Sequence, residues 1–283
     1  MKEYREIDTR DYWIEAWNRF AAEPVGSVFS DSGFWDSRAG DYGKKSPESN
    51  DRVSRLVDRL TARGTVAEGS RILDIGSGPG TFAIPFVRCG ASVVCLDVSS
   101  RMIDRIKEVL PEAQTCVAGW KDVDLEKMNW VDHFDLVFAH KTPAINSADD
   151  MLKMIRASRD WCFFAGWTGD RRIEPLDGLF LRLVGKRRRS RHFHFALNLL
   201  YCSRYYPELG FYSQQRQKRQ SFDSAMAYYL DFFSRFCSIP RNRLRNEIAS
   251  YLRLQYGAGE VVTEHSGTVG EMLWRVETKQ KAR

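Results

Sequence analysis

The residues best suited to chemistry in this chain of 283 lie in one segment, Arg71-Ile72-Leu73-Asp74-Ile75-Gly76-Ser77-Gly78-Pro79-Gly80-Thr81. An apolar run ends in three glycines at alternate positions, and a helical pattern follows. Glycines there let the backbone turn sharply and let a ligand approach the main chain. A second, Val-rich run over Ala91–Leu96 ends at Asp97. An acid in that place accepts hydrogen bonds from ribose hydroxyls. Strand, loop, helix, strand and terminal acid in this order point to an adenosine-type cofactor. Asp74 narrows the choice, because a pyrophosphate on the following helix N-terminus would meet its negative charge, whereas a cationic ligand would be favoured. The glycine spacing is GxGxG rather than GxGxxG, and no Lys-Ser/Thr pair follows, so a nucleotide-triphosphate loop is excluded. A Rossmann fold binding NAD is the rival reading of the same glycines. His140, which ends the apolar run Phe134–Ala139, titrates near neutrality and is the first candidate for a general base.

These residues need a scaffold, and the pattern supplies one. Short apolar strands are expected at about 71–75, 91–96, 113–117, 134–139 and 161–165. Helical patterns lie between them, at about 80–89 (with Pro85 inside), from Ser99 or Ser100 onward, and from Ser147 onward. Strands alternating with helices at this spacing mean βαβ units and a parallel sheet. Ahead of them, Trp13, Trp17 and Phe20 fall at helical spacing, most simply as packing. An amphipathic helix is expected over about 51–63, with Asn50 as its cap and Gly64 as its stop. After residue 170 helices are expected at about 175–186, 191–206, 222–237 and 240–255. Gly210-Phe211 opens a strand, and Glu271–Glu277 forms the last one.

With these elements in place, LDIGSGPGTF followed by VVCLDVSSRMI resembles the class I S-adenosylmethionine (SAM)-dependent methyltransferases, especially the small-molecule, type 11-like branch. The resemblance covers about residues 34–170. Phe34-Trp35-Asp36-Ser37-Arg38-Ala39-Gly40-Asp41-Tyr42 also resembles the segment that precedes the domain in many such enzymes. The resemblance implies an α/β, Rossmann-like fold. Its sheet has seven mostly parallel strands with helices on both faces, and the last strand is antiparallel. It implies one methyltransferase domain over 1–283, with a lid over 1–50, a SAM-binding core over 51–170 and the rest of the sheet over 171–283. That last part carries a helical insertion at 221–256. It implies SAM as cofactor, with Gly76, Ser77, Gly78, Gly80 and Thr81 forming the loop and Asp74 near the amino acid portion. Asp97 would hold the ribose, and Val98 and Met102 would pack on the adenine. Gly119 and Trp120 follow the third strand, where the family often has an acid. Trp120 either stacks on the adenine or belongs to the core, and Asp122 is the alternative acceptor. Tyr42 would close over the cofactor and serve as a second catalytic candidate beside His140, which stands where donor and acceptor meet.

Composition bounds the alternatives. Hydrophobic residues make up 43% and charged residues 28%, which excludes a disordered or collagen-like chain. The charged N-terminus predicts no secretory leader, and no apolar run suggests a membrane span. Six cysteines without a CxxC pair suggest reduced thiols and a cytoplasmic protein, with no metal site expected, since His192-Phe193-His194-Phe195 has no third ligand. The net charge of +6 is unevenly placed. Residues 171–256 carry 17 Lys and Arg against 6 Asp and Glu, a net +11 that leaves −5 for the remainder. A basic half suggests an anionic partner. The expected partner is a small-molecule methyl acceptor, anionic or aromatic. RNA or protein methylation through the basic region is the alternative, with nucleic acid not favoured, because His140-Lys141-Thr142-Pro143 lacks the Asn/Asp-Pro-Pro-aromatic motif of base-amine methylation. A non-catalytic nucleotide-binding regulator is the third possibility.

Overall fold

A computed structural model describes residues 9–22, 28–29, 31–41, 51–257 and 259–276. Tyr42, Asn50 and Glu277 lie outside the described residues. The chain forms two compact units. The first takes the described residues up to Gly166, then Phe195–Gly210 and the stretch from Glu271 onward. The second takes Trp167–His194 and Phe211–Gly270.

The first unit contains the expected βαβ repeat. Its elements are α1 (Arg10–Ala21), α2 (Ser32–Asp36), α3 (Asp51–Ala62), β1 (Arg71–Ile75), α4 (Ala83–Arg88) and β2 (Ser92–Asp97). They continue with α5 (Ser100–Val109), β3 (Gln114–Val117), β4 (Phe134–His140), α6 (Ala148–Ala157) and β5, which runs from Ser158 to Trp167. The strand order is β3-β2-β1-β4-β5, followed by β8 (Val261–Arg275). The β1–β2, β1–β4, β2–β3 and β4–β5 pairs are all parallel. Because the order reverses between β1 and β4, the C-terminal ends of β1, β2 and β4 open onto a switch-point crevice, where ligands of such sheets bind.

Parallel strands covered by helices on both faces bury both sides of the chain. Accordingly Ile72, Leu73 and Ile75 of β1 and Leu136, Val137 and Phe138 of β4 are buried. Val53, Leu56, Val57 and Leu60 of α3, Met102, Ile103 and Ile106 of α5, and Met151, Met154 and Ile155 of α6 supply the helical stripes of the core. Local chemistry starts and stops the helices. Ser147 and Asp150 form a reciprocal capping box on α6, Ser99 caps α5 by accepting from the Met102 amide, and Gly64 ends α3 with φ 72°. Helix α4 is shorter than expected. Pro85 falls in its first turn, where a missing N–H costs little, so the helix starts at Ala83 and not at Gly80. On α1, Trp13, Trp17 and Phe20 all contact the ring of Phe195. Asn18 accepts from the Ala148 amide and donates to Asp149, which ties α1 to the start of α6.

The second unit contains β6 (Arg172–Glu174), α7 (Leu176–Val184), most of β7 (Glu208–Gln220), α9 (Phe222–Ser234) and α10, which runs from Arg241 to Tyr256. Helix α8 (His192–Cys202) runs from this unit into the first. Strand β6 pairs antiparallel with β8, and β7 also pairs with β8. Phe180 packs on Phe233 and Phe236. Among the described residues there are thus eight strands rather than seven, and β8 begins at Val261, ten residues before the expected start. Strand β6 is three residues long, too short to carry a period. The early part of β8, Thr263-Glu264-His265-Ser266, is too polar to read as a strand.

Candidate active site

The glycine loop leaves β1 into the crevice. The amides of Gly76 and Ser77 both donate to the carbonyl of Leu96, at 2.7 and 3.0 Å, so the loop is bound to the end of β2. Two glycines are required for different reasons. At Gly76 (φ 67°) the side chain of Thr142 presses against the backbone, and an added Cβ would lie 2.0 Å from its Oγ1. At Gly78 (φ 54°) nothing lies within 4 Å of where a Cβ would stand, so the chain here is bare and faces open space. A left-handed backbone favours glycine at both. Gly80 packs against Ile84 and Ile106, which seats the loop on α4 and α5. Ser77 is buried and Thr81 half-buried.

Two carboxylates close on this loop. Asp97 accepts the Gly78 amide on one oxygen and the Ser99 amide on the other, both at 2.9 Å. Burial raises its pKa, and the amide bonds work against that rise. A third amide, that of Val98, also bonds it, and of the roughly four lone-pair sites of a carboxylate one is left to receive a hydroxyl. Asp74 is 3% exposed, and burial, together with the nearby charge of Asp97, raises its pKa to about 8. A buried acid beside a second acid is stabilised in its ionised form by a cation. Two buried carboxylates therefore suit a ligand that carries positive charge, and they do not suit a pyrophosphate.

Val98 is half-buried after Asp97, and Met102 is buried on α5 below it. Gly119 starts the short 3-10 turn Trp120–Asp122, and the carboxylate of Asp122 folds back over it. Trp120 is 2% exposed, its indole N–H donates to the Asp150 carbonyl at 3.1 Å, and the Lys153 ammonium stands 4.8 Å from its ring. That geometry is the core reading of Trp120. His140 ends β4 against Phe82, with ring centroids 4.5 Å apart, and lies parallel to Phe138 and Phe163. The expectation that His140 titrates near neutrality is corrected: burial holds its pKa well below the ordinary value, and the charge of Lys141 adds to this, so the imidazole is neutral at physiological pH. The structure thus brings Asp74, Gly76, Ser77, Gly78, Gly80, Thr81, Asp97 and Val98 together at the β1 and β2 ends, and it places His140 at the end of β4.

Two residues at this site have no assigned role in the sequence reading. Thr142 packs on Gly76, and its hydroxyl accepts from the Ala144 amide. Asp36 of α2 accepts from the Ser99 hydroxyl at 2.6 Å. Asp36 lies within the stretch that resembles the pre-domain segment, but a contact 63 residues away along the chain leaves no local pattern. Among the described residues no group of three or more His, Cys, Asp or Glu side chains could hold a metal ion, and no helix is long and apolar enough to cross a membrane.

Comparisons with known proteins point the same way. Residues 72–162 match the family described as a methyltransferase domain. The chain is 30% identical over 130 residues to an uncharacterized protein of Haemophilus influenzae, covering 44% of this chain and 45% of that one. It is 32% identical over 98 residues to the magnesium-protoporphyrin O-methyltransferase of Rhodobacter capsulatus, covering 33% and 41%. It is also 32% identical over 89 residues to the ubiquinone biosynthesis O-methyltransferase of Rhodopseudomonas palustris strain TIE-1, covering 31% and 35%. The chain spans less than half the length of these curated relatives.

Proposed function

We propose that this chain, whose residues 72–162 match the family described as a methyltransferase domain, is a class I SAM-dependent enzyme that transfers the methyl group of SAM to a small-molecule acceptor that is anionic or aromatic. The observation that carries this reading is the Asp97 carboxylate held on the Gly78 amide, where the backbone is bare, with buried Asp74 close enough to feel its charge. SAM supplies a methyl group on a sulfonium, which leaves as a neutral thioether. The protein's part is chiefly orientation and proximity. Gly76–Thr81 hold the backbone around the cofactor, and Asp74 faces its positive groups. Asp97 receives a ribose hydroxyl, with its carboxylate aimed by the amides of Gly78 and Ser99. Val98 and Met102 form the apolar wall for the base. His140, neutral and backed by three phenylalanine rings, accepts a hydrogen bond or a proton from the acceptor. The role of Tyr42 in closing over the cofactor rests on the resemblance of Phe34–Tyr42 to the segment that precedes the domain in such enzymes. All of 1–283 serves this one activity.

The names of the curated relatives, two of them O-methyltransferases of magnesium-protoporphyrin and ubiquinone biosynthesis, support a small-molecule acceptor. Thermal shift with SAM, S-adenosylhomocysteine and NAD tests the cofactor. Stabilisation by the first two is expected, and a response to NAD alone would overturn the reading. Labelled methyl incorporation into a size-fractionated lysate tests the acceptor. Label in the low-mass fraction is expected, and label confined to RNA or protein would refute it. With the acceptor in hand, His140→Ala should lower kcat about 100-fold with little change in KM for SAM. Full turnover would remove His140 from the proton path.

A further inference from the structure

Asp36 sits on α2, far in sequence from the glycine loop, yet it is bonded into the loop's support. One of its carboxylate oxygens accepts from the Ser99 hydroxyl at 2.6 Å and from the Arg101 amide at 3.3 Å. Ser99 is fully buried and is the N-cap of α5. Its amide donates to Asp97, and Asp97 in turn accepts from Gly78. A continuous chain of hydrogen bonds thus runs Asp36, Ser99, Asp97, Gly78. The segment that carries Asp36 has two further ties. Phe34 is 2% exposed and anchors it in the core, and the Arg105 guanidinium donates to the Ala39 carbonyl at 2.6 Å.

An N-cap serine is held by its own helix and needs no carboxylate to hold it. A charge placed on that serine, next to a second carboxylate, raises the repulsion around Asp97 and does not serve stability alone. We propose that Asp36 is a positioning residue for the cofactor, fixing the Asp97 carboxylate through Ser99 and coupling the docking of Ser32–Asp41 to cofactor binding. This rests on the SAM reading above. Asp36 aims Asp97 at the ribose, and a bound ribose in turn holds Asp97, Ser99 and the docked segment in place.

The test measures the dissociation constant for SAM by calorimetry on the full chain and on three variants. Asp36→Ala removes the acceptor and should weaken binding on the order of tenfold, as loss of charged hydrogen bonds does. Asp36→Asn keeps an acceptor oxygen and should stay within about threefold of the parent. Arg105→Met loosens the same segment without touching the Asp97 chain, so it should weaken binding through the coupling alone, by clearly less than Asp36→Ala does. Unchanged binding in Asp36→Ala, no rescue by Asp36→Asn, or equal weakening by Arg105→Met would each overturn the inference. Hydrogen exchange on the parent protein gives a measurement that no variant's folding can confuse. Addition of SAM should slow exchange across residues 31–41, and unchanged exchange there would overturn the coupling. If the parent binds neither SAM nor S-adenosylhomocysteine, the cofactor reading itself fails. If the parent binds and Asp36→Ala binds equally well, only the role of Asp36 fails.

Discussion

The two carboxylates at the loop set the pH behaviour of the site. Asp74 has a pKa of about 8 in the folded chain, against 3.8 for an ordinary aspartate. The folded state therefore holds this proton more tightly than the unfolded state. The stability contribution of the protonated group is complete below about pH 4 and is lost as pH rises to about 8. Asp74→Asn should consequently raise the apo melting temperature at pH 8 while weakening SAM binding. A cation beside Asp74 expels the proton. SAM affinity should thus increase from pH 6 to 8 and level off above, with close to one proton released per SAM near neutrality. Calorimetry in two buffers of different ionisation enthalpy reads that proton directly, and it should vanish in Asp74→Asn. The glycines divide in the same way. Gly78→Ala should cost about 1–2 kcal/mol of stability, because only its left-handed backbone resists a side chain. Gly76→Ala should cost more, because Thr142 must also move. Denaturant melts of the two variants rank them.

At the scale of elements, caps and docked side chains decide where helices begin. Ser147→Ala removes one half of the α6 capping box and should destabilise by about 1 kcal/mol in a denaturant melt. Asn18 both donates to and accepts from the start of α6. Asn18→Ala should leave α1 exchanging its amides faster than the core helices, with the loop untouched. The helices and strands of the first unit were legible because each carries its own period. The amphipathic stripe of α3 and the apolar run of β1 repeat every few residues and need no distant partner to be seen. Strand β6 and the first half of β8 were not legible. Their residues alternate weakly, and only pairing in register, Ile173 with His265, makes them strands.

At the scale of the whole molecule, charge is the remaining lever. Residues 171–256 carry a net +11, and parts of it are tied up locally, as in Arg188 with Asp177 and Arg182 with Glu247. A basic field of this size favours an anionic acceptor over a neutral one. For such an acceptor, KM should rise as salt is increased from low to physiological strength. The dissociation constant for SAM, whose acids are buried, should move little. A KM independent of salt would argue for a neutral, aromatic acceptor.

The sequence by itself determined the βαβ order, the glycine loop and its two acids. These are local patterns, written within about 30 residues and enforced by backbone geometry. It also placed His140 and the basic half, because strand ends and composition need no fold to be read. Tertiary structure alone decided that Trp120 is buried in the core, that Thr142 closes on Gly76, and that Asp36 reaches Ser99. Each of these depends on which surfaces meet after folding. A contact across dozens of residues is fixed by the packing of whole elements and leaves no periodic trace in the chain.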